Sequence, residues 1–296
     1  PRSGWEGPCA WSSRSPTDPG APGVSPLAPM LSVTQALLSD VEATFGRMYL
    51  RYVAAQRGLF PELAAEAKAT AAGVAVHAPL DVERRVLPHA ARGADDLGEL
   101  LDFLHARSPA SGALRVHLDP RAPEAVREAL QRRGASFRYA VNVLWRPLDA
   151  SLATPDGASA PVDDAELDVA SETYARGFED DAPREAFLRF ARTYAAMART
   201  RFFLARNAEG VPMAAASLHL DGNIAILAGM AARPAFRGRR RQGRRIAGRL
   251  AHARREGARL AVMTAMPASR SQRNAERAGF RVAYPRVLLS CPAENR

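Results

Sequence analysis

Cysteine and lysine are almost absent from this 296-residue sequence. Its two cysteines, Cys9 and Cys291, cannot form the network of disulfides that stabilises small secreted domains. Lys68 is the single lysine, so nearly all of the positive charge is carried by arginine. No group of Cys, His, Asp and Glu has the spacing of a metal site, and we therefore expect no bound metal.

Long apolar runs are also missing. No segment has the length of apolar sequence that a membrane-spanning helix needs, and the N-terminus lacks the charged and then apolar pattern of a signal peptide. We therefore expect no membrane partner and a cytoplasmic location. A hydrophobic content of 47% over this length is enough for one large domain or two ordinary ones.

The net charge of +10 raises the hypothesis of nucleic-acid binding. Much of this charge is concentrated in one short segment that holds six arginines: Arg237, Arg239, Arg240, Arg241, Arg244 and Arg245. Phe236 is the only aromatic residue beside them, whereas aromatic residues among the basic ones would support binding to nucleic acid. The pattern therefore does not favour a nucleic-acid partner.

Residues 223–257 predict a strand, a basic turn and a helix. The apolar run 224–232 is predicted as one buried strand, which Pro234 ends because proline cannot donate a ladder hydrogen bond. A turn over 237–243 follows, and the chain then continues as a helix that stops at Gly257.

A basic turn that leads into a helix N-terminus favours an anion. Unpaired backbone N–H groups and the positive end of the helix dipole point at the turn, and guanidinium groups bind phosphate well. We therefore expect a cofactor with a pyrophosphate here. A solvated basic helix face is the alternative interpretation.

The sequence around and after this turn resembles the GNAT superfamily of acyl-CoA-dependent N-acyltransferases. Three motifs carry the resemblance: ARPAFRG at 232–238, Gly257-Ala258, and NAERAGF at 274–280. They occur in the family's order, with a predicted strand at 260–264, a helix at 268–278 and a last strand at 280–289. The resemblance extends over about residues 164 to 290.

This resemblance implies an α/β fold, with two GNAT-like units in tandem whose mixed, mostly antiparallel sheets are flanked by helices. It also implies transfer of an acetyl group from acetyl-CoA to an amine, by direct attack within a ternary complex. Acetyl-CoA would lie between the strand at 224–232 and the strand at 260–264. The residues expected to bind it are Met230, Ala231, Ala232, Arg237, Gly238, Arg239, Arg240, Arg241, Gln242, Gly243, Arg244 and Asn274; Asn274 is alternatively a helix-surface residue.

The sequence departs from the family pattern in two features, the pyrophosphate loop and the acid position. Arg240 and Gln242 stand where the pyrophosphate loop of the family has small residues, and Ala275 stands where many members carry a tyrosine acid. These differences leave an alternative function open: a catalytically degenerate protein that binds an acyl-CoA as a ligand or acts as a scaffold.

Three residues are candidates for acid–base catalysis. His219 is a candidate general base, because it lies on a predicted strand and titrates near neutral pH. Tyr284 and Ser271 are candidate acids that return a proton to the thiolate. A structural histidine and a base that acts through water remain alternatives, and a matching tyrosine at position 139 favours a packing role for Tyr284.

The acceptor is expected to be a small-molecule or peptide amine. Glu179, Asp180 and Asp181 lie between two predicted helices, 164–176 and 183–198, and the resemblance places this loop beside the acceptor pocket. Three carboxylates there would attract a cationic amine. A solvated acidic loop or helix cap is the alternative.

The first half of the sequence repeats the element order of the second. Its predicted elements are a helix at 33–56, strands at 73–77 and 85–89, a helix at 95–106, a strand at 114–118, a helix at 123–133 and a strand at 137–145. An offset of 145 residues pairs six identical residues: Gly112 with Gly257, Ala113 with Ala258, Arg132 with Arg277, Gly134 with Gly279, Tyr139 with Tyr284 and Pro147 with Pro292. We interpret this as a duplication.

The predicted organisation has four regions. Residues 1–29 read as a disordered leader that precedes the native start at Met30, with a functional tail as the alternative. Residues 30–148 form a degenerate GNAT-like domain without a cofactor turn, residues 149–163 a linker, and residues 164–292 the N-acetyltransferase domain.

Overall fold

A computed structural model of the chain describes residues 34–81, 84–107, 114–149, 159–178, 184–237 and 242–292. For residues 184 and 242–245 it describes the backbone only. The predicted leader at 1–29, the acidic residues 179–181 and the centre of the basic turn at 238–241 lie outside the described residues. Within the described ranges, no helix is long and apolar enough to cross a membrane.

Seven α-helices and twelve strands occur in these ranges. The helices are α1 (Gln35–Leu59), α2 (Ala94–His105), α3 (Glu124–Arg132), α4 (Leu167–Ala175), α5 (Arg184–Ala196), α6 (Gln242–Arg255) and α7 (Arg270–Arg277). The strands are β1 (Glu66–Thr70), β2 (Gly73–His77), β3 (Arg85–Leu87), β4 (Leu114–Leu118), β5 (Ser136–Pro147), β6 (Ala160–Pro161), β7 (Thr200–Arg206), β8 (Pro212–Asp221), β9 (Ile224–Ile226), β10 (Met230–Ala232), β11 (Leu260–Ala265) and β12 (Arg281–Cys291).

The helix ends follow from local sequence. Thr34 caps α1, where its hydroxyl accepts a hydrogen bond from the backbone N–H of Leu37 at 3.2 Å. Gly257 follows α6 with a φ of 87°, a conformation that glycine adopts without steric cost, so the predicted stop is confirmed. The strand β1 was not predicted, because its sequence EAKAT contains no apolar residue larger than alanine. It forms by antiparallel pairing with the buried strand β2.

All strands belong to one sheet, in the order β1-β2-β3-β4-β12-β5-β11-β9-β8-β7-β6, with β10 paired to β8. Pairing is antiparallel except for β3 with β4 and β9 with β11. The last strand of each predicted half is exchanged: β12 pairs with β4 of the first half, and β5 pairs with β11 of the second. The strands of the two predicted units therefore continue into one sheet.

The exchanged strands β5 and β12 also pair with each other, and their register matches the 145-residue offset. Val141 faces Arg286, which is the residue 145 positions later. Ala140 faces Val287 and Asn142 faces Pro285. The same offset relates Ala140 to Pro285 and Asn142 to Val287, so it converts each pair into the other. The pairing is therefore symmetric about position 141, as a duplicated unit requires.

Side chains alternate between the two faces of this sheet, and each face is covered by helices. Val262 of β11 packs in a cluster with Val53 of α1, whereas its neighbour Ala261 packs with Leu250 of α6. The helices α1, α4 and α5 cover the first face, and α2, α3, α6 and α7 cover the second. The predicted α/β class, with a mixed and mostly antiparallel sheet between helices, is confirmed.

A buried ion pair joins α1 to β12 at the centre of the sheet. Arg286 donates to one carboxylate oxygen of Glu42 from Nη2 at 2.7 Å and from Nε at 3.1 Å, and the Tyr284 hydroxyl donates to the same oxygen. Glu42 and Arg286 are only 1% and 2% exposed. Burial lowers the pKa of Arg286, but the charge of Glu42, its hydrogen bond to Arg286 and the nearby Tyr284 together outweigh burial and raise this pKa.

We expect Glu42→Ala to lower the free energy of unfolding by about 3–5 kcal/mol, because it leaves a buried guanidinium without its carboxylate. Urea denaturation measures the loss. The control is Glu128→Ala, which breaks the exposed Arg132–Glu128 pair and should cost only about 0–1 kcal/mol. Equal losses in the two variants would show that the buried pair does not hold α1 to the sheet.

Candidate active site

A bulge interrupts the strand that was predicted to run over 224–232. On β8, three positions separate His219 from Ala216, but their partners Ile226 and Met230 are four positions apart. One residue is therefore extra on the second strand, which is the definition of a β-bulge. The prediction of one continuous strand was wrong at its centre, because residues 227–229 leave the ladder and divide β9 from β10.

Gly229 and Ser217 hold this bulge in place. Gly229 has a φ of 42°, and a Cβ at this position would lie 2.5 Å from the hydroxyl oxygen of Tyr174. The backbone N–H of Ser217 donates to the carbonyl oxygens of Ala228 at 3.2 Å and Gly229 at 3.1 Å. The Ser217 hydroxyl adds a hydrogen bond to Ala228 O at 2.7 Å. The bulge thus depends on a residue without a Cβ at position 229.

The bulge separates β10 from β11. The parallel ladder of β9 and β11 ends where the Leu227 N–H donates to Val262 O at 2.8 Å, and beyond this point β10 pairs with β8 alone. The carbonyl oxygen of Gly229 accepts a hydrogen bond from β8, and the N–H of Arg233 donates one to β8. In an antiparallel ladder every second residue directs its N–H and C=O groups to the same neighbour, so those of Gly229, Ala231 and Arg233 point towards β8. The N–H and C=O groups of Met230 and Ala232 therefore face the split between the two strands.

The start of the basic turn lies at the end of β10. Arg237 donates from Nη2 to Gly177 O at 2.9 Å and from Nε to Ala232 O at 3.4 Å. Gly177 belongs to a 3-10 turn, Arg176–Phe178, that packs against Ala231 so closely that a Cβ would clash. The helix α6 begins at Gln242, two residues before the predicted start, so its N-terminus lies at the end of the turn. The roles predicted for the side chains of residues 238–245 remain predictions.

A cavity of about 230 Å³ lies beneath α1, next to the split. Both halves of the chain line it. The second half contributes Leu227 and Gly229 of the bulge, Thr264 of β11 and Arg286 of β12; the first half contributes Tyr49 of α1, Arg85 of β3, His117 of β4 and Tyr139 of β5. The cavity therefore joins the open edge of β11 to residues of the first half.

His117 is buried at the first-half side of this cavity. Within the described part of the chain, neither of its ring nitrogens has a hydrogen-bond partner. Its ring meets that of Tyr49 edge-on, with the centroids 6.3 Å apart. Burial, and then the positive charges of Arg85 and Arg286, hold the pKa of His117 well below its usual value of 6.5. The ring is therefore neutral at physiological pH.

The predicted base His219 is engaged at both ring nitrogens. Its Nε2 lies 2.9 Å from Nη1 of Arg51, which can only donate, so the Nδ1 carries the hydrogen and donates to Thr200 Oγ1 at 2.9 Å. Burial and the charge of Arg51 lower the pKa of His219 to about 4. The contact with Arg51 joins α1 to the sheet. A role for His219 as a general base stays a prediction, which the geometry does not favour because both ring nitrogens already have partners.

The other predicted side chains lie on β12 and α7. The hydroxyl of Tyr284 is buried and bound to Glu42; burial, and then the Glu42 carboxylate, raises the pKa of Tyr284. Ser271 is half-buried in the first turn of α7. Asn274 is buried on the same helix, where Arg277 donates to its side-chain oxygen Oδ1. Their predicted roles are not tested by these positions.

Sequence reasoning missed one charged residue behind the bulge, Arg249 of α6. It is 2% exposed, and its Nη1 donates to Ser217 O at 3.0 Å while Nη2 lies 3.6 Å from the Met230 sulfur. Burial lowers its pKa to about 10, so it stays protonated at neutral pH. Its spacing of three from the apolar Ile246 could have identified it as a residue of the buried face. In the described part of the chain, no group of His, Cys, Asp and Glu could hold a metal ion.

We expect Gly229→Ala to be more damaging than Gly222→Ala. Both glycines have a positive φ, 42° and 59°, but a Cβ at position 222 meets nothing within 4 Å. The backbone strain common to both should cost about 1–2 kcal/mol, and the clash with Tyr174 should add about 1–3 kcal/mol for Gly229→Ala alone. Urea unfolding of the two variants measures this difference. Equal losses would contradict the requirement for glycine in the bulge.

No family model and no curated protein matches the sequence. Solved structures do match. A GCN5-related N-acetyltransferase from Kribbella flavida superposes with a TM-score of 0.55 at 19% identity, over 86% of this chain and 95% of that one. A GCN5-related N-acetyltransferase from Sphaerobacter thermophilus gives 0.54 at 13% identity, over 87% and 94%.

A tandem GNAT protein from the clavulanic acid biosynthesis pathway is also similar, with a TM-score of 0.53 at 16% identity over 75% of this chain and 79% of that one. At these identities the likeness concerns the fold alone. The chain therefore has the tandem GNAT-like acyltransferase fold.

Proposed function

We propose that the protein is an N-acyltransferase that moves an acetyl group from acetyl-CoA to the amine of a small-molecule or peptide acceptor. The observation that carries this proposal is the split between β10 and β11, which opens beside a cavity large enough for a small acceptor. A linear cofactor in the split would present its acyl end to that cavity.

The free edge of β10 fits the amide groups of a pantetheine arm. The backbone N–H and C=O groups of Met230 and Ala232 face the split and have no ladder partner on β11 in the described part of the chain. Amide hydrogen bonds to such an edge are those a further strand would make. Ala231, whose backbone groups are used by β8, would contribute packing only.

The N-terminus of α6 fits the pyrophosphate better than its counterpart in the first half. The first turn of α6 contains no acidic residue, whereas the first turn of α2 contains Asp95 and Asp96. Two carboxylates at a helix N-terminus repel phosphate and compete for the same N–H groups. This contrast supports one cofactor per chain, bound by the second half. Arg237 and the arginines up to Arg244 would add charge, and Asn274 would contact the pantetheine or acyl region.

In the proposed reaction the amine nitrogen attacks the thioester carbonyl carbon, the C–N bond forms as the C–S bond breaks, and the proton lost by nitrogen goes to the thiolate of CoA. The protein would act mainly by positioning the reactants and by backbone donors at the bulge. Because His219 and Tyr284 already have partners, we propose that water relays the proton. Ser271 remains a candidate acid, and Glu179, Asp180 and Asp181 remain candidates to attract the amine.

Titration calorimetry with acetyl-CoA tests this proposal, with an expected stoichiometry of one per chain. Ala232→Pro should weaken binding about three- to tenfold, because it removes one N–H that faces the split and none that bonds β8. The matched variant Ala231→Pro removes a ladder N–H instead and should mainly lower the melting temperature.

Two results would count against the proposal. Acetyl-CoA affinity unchanged by Ala232→Pro would remove β10 from the cofactor site. Tight binding without release of CoA in the presence of primary amines would favour the alternative, a protein that binds acyl-CoA as a ligand.

A further inference from the structure

The cavity beneath α1 extends across four neighbouring strands on one face of the sheet, β4, β12, β5 and β11. Val116 and Leu118 of β4 pack in the cluster with α2 and α3, so His117 between them points to the opposite face, where α1 lies. Thr264 lies on that same face, two residues after Val262 of the α1 cluster. Three strand spacings, roughly 14 Å, separate the backbones of β4 and β11. His117 and Thr264 therefore line opposite sides of the cavity.

Both guanidinium groups in the described lining already have partners within the protein. Arg286 donates to the buried carboxylate of Glu42. Arg85 donates to the Tyr49 hydroxyl, its Cζ lies 4.9 Å from the centre of that ring, and it takes part in other interactions as well. We therefore assign neither guanidinium to a ligand.

His117 differs from these two residues in its hydrogen bonding. Its side chain is buried, with only 6% of the residue exposed, and neither ring nitrogen has a partner within the described residues. Buried polar atoms are nearly always paired in folded proteins. An imidazole that faces a cavity is therefore expected to pair with a molecule held there, either a ligand or water.

The partner of His117 is expected to be a neutral group. Burial is the largest of the causes that hold the pKa of His117 well below its usual value of 6.5, and the same loss of water disfavours a charge on a ligand. An anion would also need a cation of its own, and the nearby guanidinium groups are engaged. A neutral imidazole has one N–H and one lone pair, so a hydroxyl, which both donates and accepts, can pair with either nitrogen.

The rest of the cavity favours a small molecule with an apolar body. Most of the remaining lining is apolar or aromatic: Phe45, Met48, Val141, Tyr194, Ile226 and Leu288. A volume of about 230 Å³ lies below the range of roughly 300–1,000 Å³ typical of sites for drug-sized ligands. Leu227 and Gly229 of the bulge line the cavity on the side of Thr264. An amine must reach that side to meet an acyl group that arrives through the split.

We propose that the acceptor is a small amine with an apolar body and a neutral hydroxyl at the end away from the amine, and that His117 binds this hydroxyl. The amine lies at the bulge, where the acyl transfer takes place. His117 belongs to the first half of the chain, so this half contributes to acceptor specificity. This inference rests on the proposed acyltransferase function.

The test compares five-carbon amines that differ at the far end: pentylamine, pentanolamine, cadaverine and δ-aminovalerate, which end in a methyl, a hydroxyl, an ammonium and a carboxylate group. Phenethylamine and tyramine form a second, aromatic pair that differs in one hydroxyl. Binding of each to the full chain saturated with CoA is measured by calorimetry, so no turnover is needed. We expect the hydroxyl compound to bind about three- to tenfold more tightly in at least one pair, the gain from a neutral hydrogen bond. Release of CoA from acetyl-CoA is then measured for the same pair.

Variants assign the preference to His117. His117→Phe removes both nitrogens but keeps a ring against Tyr49, and it should reduce the preference to about twofold or less without changing the affinity for acetyl-CoA. His117→Gln, which keeps a donor and an acceptor, should retain part of it. The matched control is His105→Phe: His105 of α2 also has unpartnered ring nitrogens but lies outside the cavity lining, so the preference should persist. Melting temperatures show whether each variant folds, and His117→Leu replaces His117→Phe if the latter does not.

No preference for the hydroxyl compound in either pair, the result expected if only water pairs with His117, would overturn the inference. So would tighter binding of cadaverine or δ-aminovalerate than of pentanolamine, or a preference that survives the loss of both nitrogens at position 117. Failure of acetyl-CoA to bind the unmodified protein is a different result. It would remove the proposed function, while binding of the amines to the protein alone would still report on the hydroxyl site.

Discussion

The antiparallel pairing of β5 with β12 is the interaction on which the rest of the structure depends. Each of these strands is the last element of its own half. β12 lies beside β4, the strand that precedes β5, and β5 lies beside β11, the strand that precedes β12. Without this exchange, β4 and β11 would lose their antiparallel partners and the sheet would divide. The buried pair of Glu42 and Arg286 then fixes α1 over the centre of the joined sheet.

The exchange also explains why the cavity has walls from both halves. It lies next to the symmetric position where Val141 faces Arg286, and both residues line it. The duplication therefore places equivalent positions of the two halves around one cavity, but with different residues: an apolar valine on one strand and a buried arginine on the other. We propose that the two halves differ in role as well, with the cofactor bound by the second half.

Local patterns predicted most of the fold. Apolar periodicity and helix-stop signals such as Gly257 identified α6, and the 145-residue offset predicted the equivalence of β5 and β12. The strand exchange and the bulge could not be read in this way, because both depend on which distant strands pair. Gly229 lies inside an apolar run that looks like one strand, and only its pairing with β8 reveals the extra residue. For the same reason His117 and Arg85, each within or beside a predicted strand, gave no signal that they converge.

Hydrogen exchange with and without saturating acetyl-CoA tests the central claim most directly, namely that the cofactor lies in the split of the second half. We expect slower exchange at the backbone N–H groups of Met230, Ala232 and Thr264 and at the start of α6, with no change in β3 or at the start of α2. Protection confined to β3 and α2, or none at a concentration that saturates the protein, would contradict it.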